Sequence, residues 1–296
     1  MENIRGAAFM VLAMLCFAIE DALIKLLAGR IPPGQVIGLI CIGGLVLFVG
    51  WSLLRKQPVW SPHYLNGRVL LRSLAEVLGS CCFVSALALI PLTTASAVIQ
   101  ATPLVVAMGA AIFLGQEVGW RRWLAILVGF VGVLIIIRPG MDGFVPATLL
   151  AVGGMLGLAI RDLLTRGLQV ELTGTQLGIH AYAILGPAGF LLVPLIGQDL
   201  VMPAGMEWGW LGISVVIGML AYLAIVAATR AGNAGIISSF RYSRMLFALI
   251  IGTIFFAEKP DTATLIGVAI VIASGIYTLW REARLARASH RQKPAL

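Results

Sequence analysis

Ten apolar runs follow one another along this 296-residue chain, separated by short gaps that carry charged, Pro and Gly residues. Each run is close to the ~20 residues that an α-helix needs to cross the hydrocarbon core of a bilayer. The chain is therefore expected to be an all-α integral membrane protein with ten transmembrane helices. The runs occupy residues 6–27, 34–54, 69–90, 93–114, 123–137, 145–168, 175–196, 208–229, 232–257 and 262–280. Charged residues make up 11% of the sequence, less than half of the roughly 25% of a soluble domain, so no stretch remains for a water-soluble unit. The opening MENIRGAAFM leads into a helix without a small-residue cleavage site, which marks the first run as a retained span.

The formal net charge of +8 does not point to nucleic acid, because the basic residues sit in the gaps between spans, where the positive-inside rule governs them. With both termini cytoplasmic, Arg5, Arg55, Lys56, Arg68, Arg72, Arg121, Arg122, Arg166 and Arg230 fall on the inner side. The tail residues Arg281, Arg284, Arg287, Arg291 and Lys293 join them, leaving Lys25, Arg30, Arg138 and Lys259 outside. That asymmetry selects an orientation suited to a bacterial-type inner membrane, the basic tail serving as stop-transfer charge near anionic lipid. Cys16, Cys41, Cys81 and Cys82 lie inside apolar runs without metal-ligand spacing and read as small buried hydrophobes. HExxH, GxSxG and the nucleotide-binding GxxxxGK[ST] are absent. An enzyme, a metal centre and a bound cofactor are not expected, and transport would have to run on gradients.

An internal repeat organises the chain. A shift of 141 positions lays Met14, Ala18, Ile19, Asp21 and Leu23 on Met155, Ala159, Ile160, Asp162 and Leu164, puts Lys25 on Arg166, and lays Glu117 on Glu258. The halves are residues 1–140 and 141–296, the second carrying the basic tail. Five spans per half is an odd number, so the second half must enter the membrane from the opposite side. Two inverted five-helix repeats with a site near the midplane, where the repeats meet, are the expected construction.

Each half closes with an acidic residue after its fourth helix and a Gly-rich fifth helix. These are Leu114-Gly115-Gln116-Glu117 followed by Gly129 and Gly132, and Phe255-Phe256-Ala257-Glu258 followed by Gly267 and Gly275. The pattern covers essentially the whole chain and resembles the EamA family of the drug/metabolite transporter superfamily. That resemblance implies a secondary transporter; similar members export aromatic and other amino acids, or take up riboflavin or S-adenosylmethionine. Pro103 keeps the Pro-centred pattern of the family's fourth span, whereas Phe240-Arg241-Tyr242-Ser243-Arg244 departs from it in the ninth.

Ionisable residues inside spans carry the functional reading, because each costs at least about 2.5 kcal/mol at the bilayer centre unless paired or hydrated. The set is Glu20, Asp21, Glu76, Arg161, Asp162, Arg241 and Arg244. Asp21 with Lys25, and Asp162 with Arg166, are four apart on one helical face and are expected to pair within their own helices. Arg72 has the same spacing to Glu76, which leaves Glu76 open to a packing or a functional role. Glu20 and Arg161 occupy equivalent positions in the two halves with opposite charge and no partner in their own helices. Both are expected to point into a polar cavity, toward each other in one version; a static interhelical salt bridge is the alternative. Arg241 and Arg244 share a face and need an anion, a carboxylate partner or water.

Phe17, Phe83, Tyr222, Phe240 and Tyr242 are interleaved with these groups, as in an apolar cavity with a few oriented polar groups. His180 reads as a hydrogen-bonded packing residue. The resemblance adds a cavity lined by the first, third, fourth, sixth, eighth and ninth spans. The expected substrate-binding set is then Glu20, Glu76, Gln100, Arg161, Tyr222, Arg241, Tyr242 and Arg244, with Glu20 and Glu76 as proton-coupling candidates. The expected function is alternating-access transport of a small organic metabolite, an amino acid or amphiphile exported from the cell. Uptake of a cofactor-like metabolite and a passive channel are the alternatives. The expected partners are the substrate and the lipid bilayer, with a monomer sufficient.

Overall fold

The computed structural model describes residues 2–115, 119–141, 144–230 and 234–291. The order is α1 (Glu2–Ala28), α2 (Pro33–Leu54), α3 (Gly67–Leu89), α4 (Leu92–Ile99), α5 (Thr102–Phe113), α6 (Trp120–Ile137), α7 (Thr148–Arg166), α8 (Gly174–Leu195), α9 (Gly205–Arg230), α10 (Ala234–Ser239), α11 (Ser243–Phe255) and α12 (Thr262–Arg291), with 3-10 turns at Pro62–Leu65 and Phe240–Tyr242. The described residues contain no strand. Local chemistry sets the starts. Pro33 opens α2, where its missing N–H removes no helical bond, Asn66 caps α3 by accepting from the Arg68 N–H at 3.0 Å, and Thr173 with Gln176 forms a capping box on α8.

Nine helical stretches among the described residues are long and apolar enough to cross a bilayer; with the segment made of α10, its 3-10 turn and α11 they give the ten spans read from the sequence. Among the described residues two of the ten are broken, which the apolar pattern did not foretell. In the fourth span, Pro103 has no N–H to give the Ile99 carbonyl, and the Thr102 hydroxyl donates to that carbonyl at 2.5 Å instead. The chain turns at Gln100 and Ala101 and restarts as α5. The ninth span breaks at the equivalent place without a proline: the Ser243 hydroxyl donates to the Phe240 carbonyl at 2.7 Å. Shifting Thr102 and Ile99 by 141 positions gives Ser243 and Phe240, so one device recurs in both halves. A freed carbonyl in a membrane must find such a donor.

Packing obeys the same exchange. α1 lies chiefly on α9, α3 on α7, α2 on α8 and α6 on α12, and the 141-position shift turns the first pair into the second and returns α2–α8 and α6–α12 to themselves. Small residues permit the close crossings. A Cβ on Gly157 of α7 would stand 2.6 Å from the Gly79 nitrogen of α3, and one on Gly189 of α8 would stand 2.7 Å from the Gly34 carbonyl oxygen of α2. The Gly267 carbonyl oxygen similarly stands 2.9 Å from a Cβ placed on Gly132, which brings α6 against α12. The shared Glu117–Glu258 position is described in one half: Glu258 is seen below, while Glu117 lies outside the described residues.

Candidate functional site

A cavity of about 560 Å³ is bounded by α1, α2, α3, α7, α8, α9 and the breaks in the fourth and ninth spans. Glu20, Glu76, Gln100, Arg161, Tyr222, Arg241, Tyr242 and Arg244 all line it. Distant parts of the sequence reach it because the two breaks face each other: the Gln100 side-chain amide donates to the Arg241 carbonyl at 3.0 Å, and these two residues are equivalent under the repeat. The cavity is wider in its membership than the sequence reading had it. The second span contributes Phe48 and Cys41, and the seventh contributes Gly178 and Tyr182.

The charges in its wall are mostly spent on one another. Arg244 grips Asp21, its Nη2 standing 2.8 Å from Oδ1 and 2.7 Å from Oδ2, with Nε 3.1 Å from Oδ2. Glu76 accepts from Arg72 at 2.5 Å and from Arg161 at 3.0 Å. Arg161 also holds its neighbour Asp162, with contacts of 2.9 and 2.7 Å. Burying a carboxylate is costly without such partners, and these contacts tie α1 to α11 and α3 to α7.

Three expectations are corrected here. Asp21 does not pair with Lys25, and the acid nearest Arg161 is Asp162 rather than Glu20. Asp162 accepts from Arg161 and not from Arg166, which is exposed. The i,i+4 rule identifies neighbours along one helix surface, and here the guanidinium of a facing or adjacent residue competes successfully for the same carboxylate. Lys25 instead donates to the Leu87 and Ile90 carbonyls at 3.1 and 2.5 Å, at the end of α3, and lies 3.9 Å from Glu258. Glu258 accepts from the Leu92 N–H at 2.5 Å, the Thr93 N–H at 3.0 Å and the Thr93 hydroxyl at 2.8 Å, capping α4. One cluster thus joins the ends of α1 and α3 to the start of α4 and to the segment that follows α11.

Two groups are left over. Glu20 and Arg241 have no hydrogen bond or ion pair from their side chains among the described residues. The Glu20 carboxylate lies against Gly218 of α9, where a Cβ would come within 2.7 Å of Oε1. Arg241 is exposed and lines the cavity. Among the described residues, the site therefore offers one acid and one base, on opposite repeats, whose side chains are engaged by no hydrogen bond or ion pair.

The remaining wall is aromatic and apolar. Phe48 meets Tyr222 edge-on with ring centroids 4.7 Å apart and Tyr182 at 5.4 Å. Arg244 sits over Phe17 and Phe83, 5.3 and 5.9 Å from their centroids. Phe240 is exposed and does not line the cavity. His180 is buried and hydrogen-bonded to Ser73 at 2.9 Å, in the packing role read for it. Phe48 and Tyr182 could not have been found from sequence, since a cavity-facing aromatic with no ionisable acid or base on its face of the helix looks the same as a lipid-facing one.

The comparisons with known proteins agree with this architecture. The model of the EamA-like transporter family matches twice, at residues 4–138 and 145–280. The pseudopaline exporter of Pseudomonas aeruginosa is 28% identical over 280 residues, covering 92% of this chain and 94% of the exporter. A riboflavin transporter of Rhizobium johnstonii is 25% identical over 95% of this chain and 93% of its own. The S-adenosylmethionine uptake transporter of Rickettsia felis is 25% identical over 75% and 74% respectively. A crystal structure superposes with a TM-score of 0.64 at 18% identity, covering 96% of this chain and 98% of the other, which shows a shared fold. These relatives are named transporters and not enzymes, and the chain, a multi-pass membrane protein, belongs to the EamA-like transporter family of the drug/metabolite transporter superfamily.

Proposed function

We propose that this chain is an alternating-access exporter of a small zwitterionic metabolite, an amino acid or a compound with an amino-acid head, across a bacterial-type inner membrane. The observation that carries the reading is the pair of unneutralised groups in the cavity. Arg241 suits a carboxylate and Glu20 an ammonium, while Glu76, held by two guanidiniums, serves to position Arg161. The aromatic wall of Phe48, Tyr182 and Tyr222 suits an apolar side chain, so an aromatic or amphiphilic substrate fits the same space. Export is taken from the pseudopaline exporter, whose alignment covers most of both chains. Glu20 is also the candidate to exchange a proton for substrate, because no cation among the described residues is ion-paired with it. The two halves, 1–140 and 141–296, act as the inverted units that rock about the cavity.

Counterflow in proteoliposomes tests the reading. Labelled amino acid should enter faster when unlabelled amino acid is trapped inside, and an imposed pH gradient should drive accumulation. Flux that neither saturates nor shows trans-stimulation would assign a channel instead.

Two further outcomes are expected. Gly218→Ala places a methyl group 2.7 Å from the Glu20 carboxylate; the side-chain end must move, so the half-saturating substrate concentration should rise several-fold with little change in melting temperature. With both termini cytoplasmic, a cysteine replacing Gln57, between α2 and α3, should be labelled only from the inner face. A cysteine replacing Met141, between α6 and α7, should be labelled only from the outer face. Membrane-impermeant thiol reagents on cells and on inverted vesicles, in a background lacking the native cysteines, read both.

A further inference from the structure

We infer that Lys25 is a latch: bound to the end of α3, it holds one mouth of the cavity shut, and in the opposite state Arg166 takes its place at the other mouth. The inference rests on the alternating-access reading and names the residues that set its state. α1 lies chiefly on α9 and α3 on α7, so the cavity stands between two tight pairs, which the 141-position shift exchanges. α1 is the first span and α7 the sixth, so they finish at opposite faces of the bundle. Residues that are equivalent under the shift have different surroundings at these two faces. Val36 and Ile37, near the start of α2, line the cavity at the face where α1 ends and are 0 and 5% exposed. Their counterparts Leu177 and Gly178, near the start of α8, line it at the other face and are half-buried, and Gly174 beside them is exposed. The cavity is thus sealed toward the first face and open toward the second.

The basic side chains at the two mouths differ in the same sense. Lys25 reaches from α1 across to the other pair, donating to the Leu87 and Ile90 carbonyls at 3.1 and 2.5 Å and standing 3.9 Å from Glu258. The last carbonyls of a helix have no donor of their own and carry partial negative charge, which an ammonium answers. Glu258 meets the complementary end of the next helix, accepting from the first N–H groups of α4 at 2.5 and 3.0 Å. The acceptors of Lys25 are backbone oxygens at a helix end, so the contact can break and re-form without repacking a core. Arg166, the equivalent of Lys25 on α7, is exposed. The carbonyl equivalent to that of Leu87 is that of Ala228, near the end of α9. When the α1–α9 pair rocks against the α3–α7 pair, Lys25 leaves the end of α3 as Arg166 closes on the end of α9.

The test is access to the cavity from each face. The reference protein carries Ile37→Cys in a background lacking the native cysteines, and a membrane-impermeant thiol reagent is applied to cells and to inverted vesicles. Labelling should come from one face only, that where α7 ends. Lys25→Met and Glu258→Gln should each raise labelling from the other face about tenfold, the scale of one lost contact to a charged group. Labelling from the first face should fall at the same time, because opening one mouth shuts the other; Arg166→Met should shift both rates the opposite way. Lys25→Arg, which can still donate to the carbonyls, should match the reference. Arg30→Gln should match it too, since that charge sits at the same face but lies 3.9 Å from Glu207 of α9, within one pair. If the latch variants fail to fold, Lys25→Cys with Ile90→Cys, joined by a short cleavable linker, should stop counterflow until the linker is cut. Labelling of the reference from both faces would overturn the alternating-access reading and the latch with it. Single-face labelling unchanged by Lys25→Met and Glu258→Gln, labelling that rises from both faces alike, or counterflow that survives the linker would overturn the latch alone.

Discussion

Arg241→Gln should cut saturable counterflow by about ten- to a hundredfold, the loss expected for one hydrogen-bonded contact to a charged group, ~1.5–3 kcal/mol. The apo protein should melt as the wild type does. The second half of that expectation follows from geometry: the Arg241 guanidinium makes no ion pair or hydrogen bond with the described protein, and only its backbone carbonyl is used, by Gln100. Removing the charge therefore costs the fold nothing and costs a substrate carboxylate its partner. Measuring flux and melting on the same preparation separates the two. Unchanged flux would remove Arg241 from the binding site, and a large fall in melting temperature would return it to a packing role.

Arg161→Gln should show the reverse pattern. Arg161 bridges Glu76 on α3 and Asp162 on α7, and its side chain is 26% exposed. Its loss leaves Asp162 without its cation and Glu76 with Arg72 alone, which is the situation that costs ~3–5 kcal/mol at a buried pair. Exposure of the cluster to the cavity places the expected loss at the lower end, about 3 kcal/mol. Thermal unfolding in detergent should show it without any substrate. Combining Arg161→Gln with Asp162→Asn should recover part of the stability, since the orphaned carboxylate is then gone. If Arg161→Gln melts normally, the cluster does not hold α3 to α7 as described.

The architecture was legible because membrane solvent imposes it residue by residue. Ten apolar runs of the right length became spans, and the 141-position shift that aligned Asp21 with Asp162 also relates Thr102 to Ser243 and Gln100 to Arg241 in three dimensions. The ionisable members of the cavity wall were legible to the same extent, since an ionisable group inside a span has few places to go other than a polar interior. What could not be read was which charge answers which. Asp21 chose Arg244, 223 residues away, over Lys25 one turn along, because bidentate guanidinium geometry is better than a lysine that can reach the α3 carbonyls. The breaks were half legible: Pro103 announces the first, whereas the second rests on the Ser243 hydroxyl and has no strong breaker in the sequence. Phe48 and Tyr182 carried no signal at all, because helix rotation decides whether an aromatic faces lipid or cavity.

The central claim is that Glu20 and Arg241 together select a zwitterion, and competition counterflow tests it most directly. Proteoliposomes transporting a labelled amino acid are challenged with that amino acid, its methyl ester and its N-acetyl derivative, which carry both charges, the cation alone and the anion alone. The zwitterion should compete, and each singly charged analogue should be weaker by about tenfold or more, one contact to a charged group being lost in each case. Equal competition by the ester or by the N-acetyl derivative would contradict the account, because one of the two unpaired groups would then have no part in recognition.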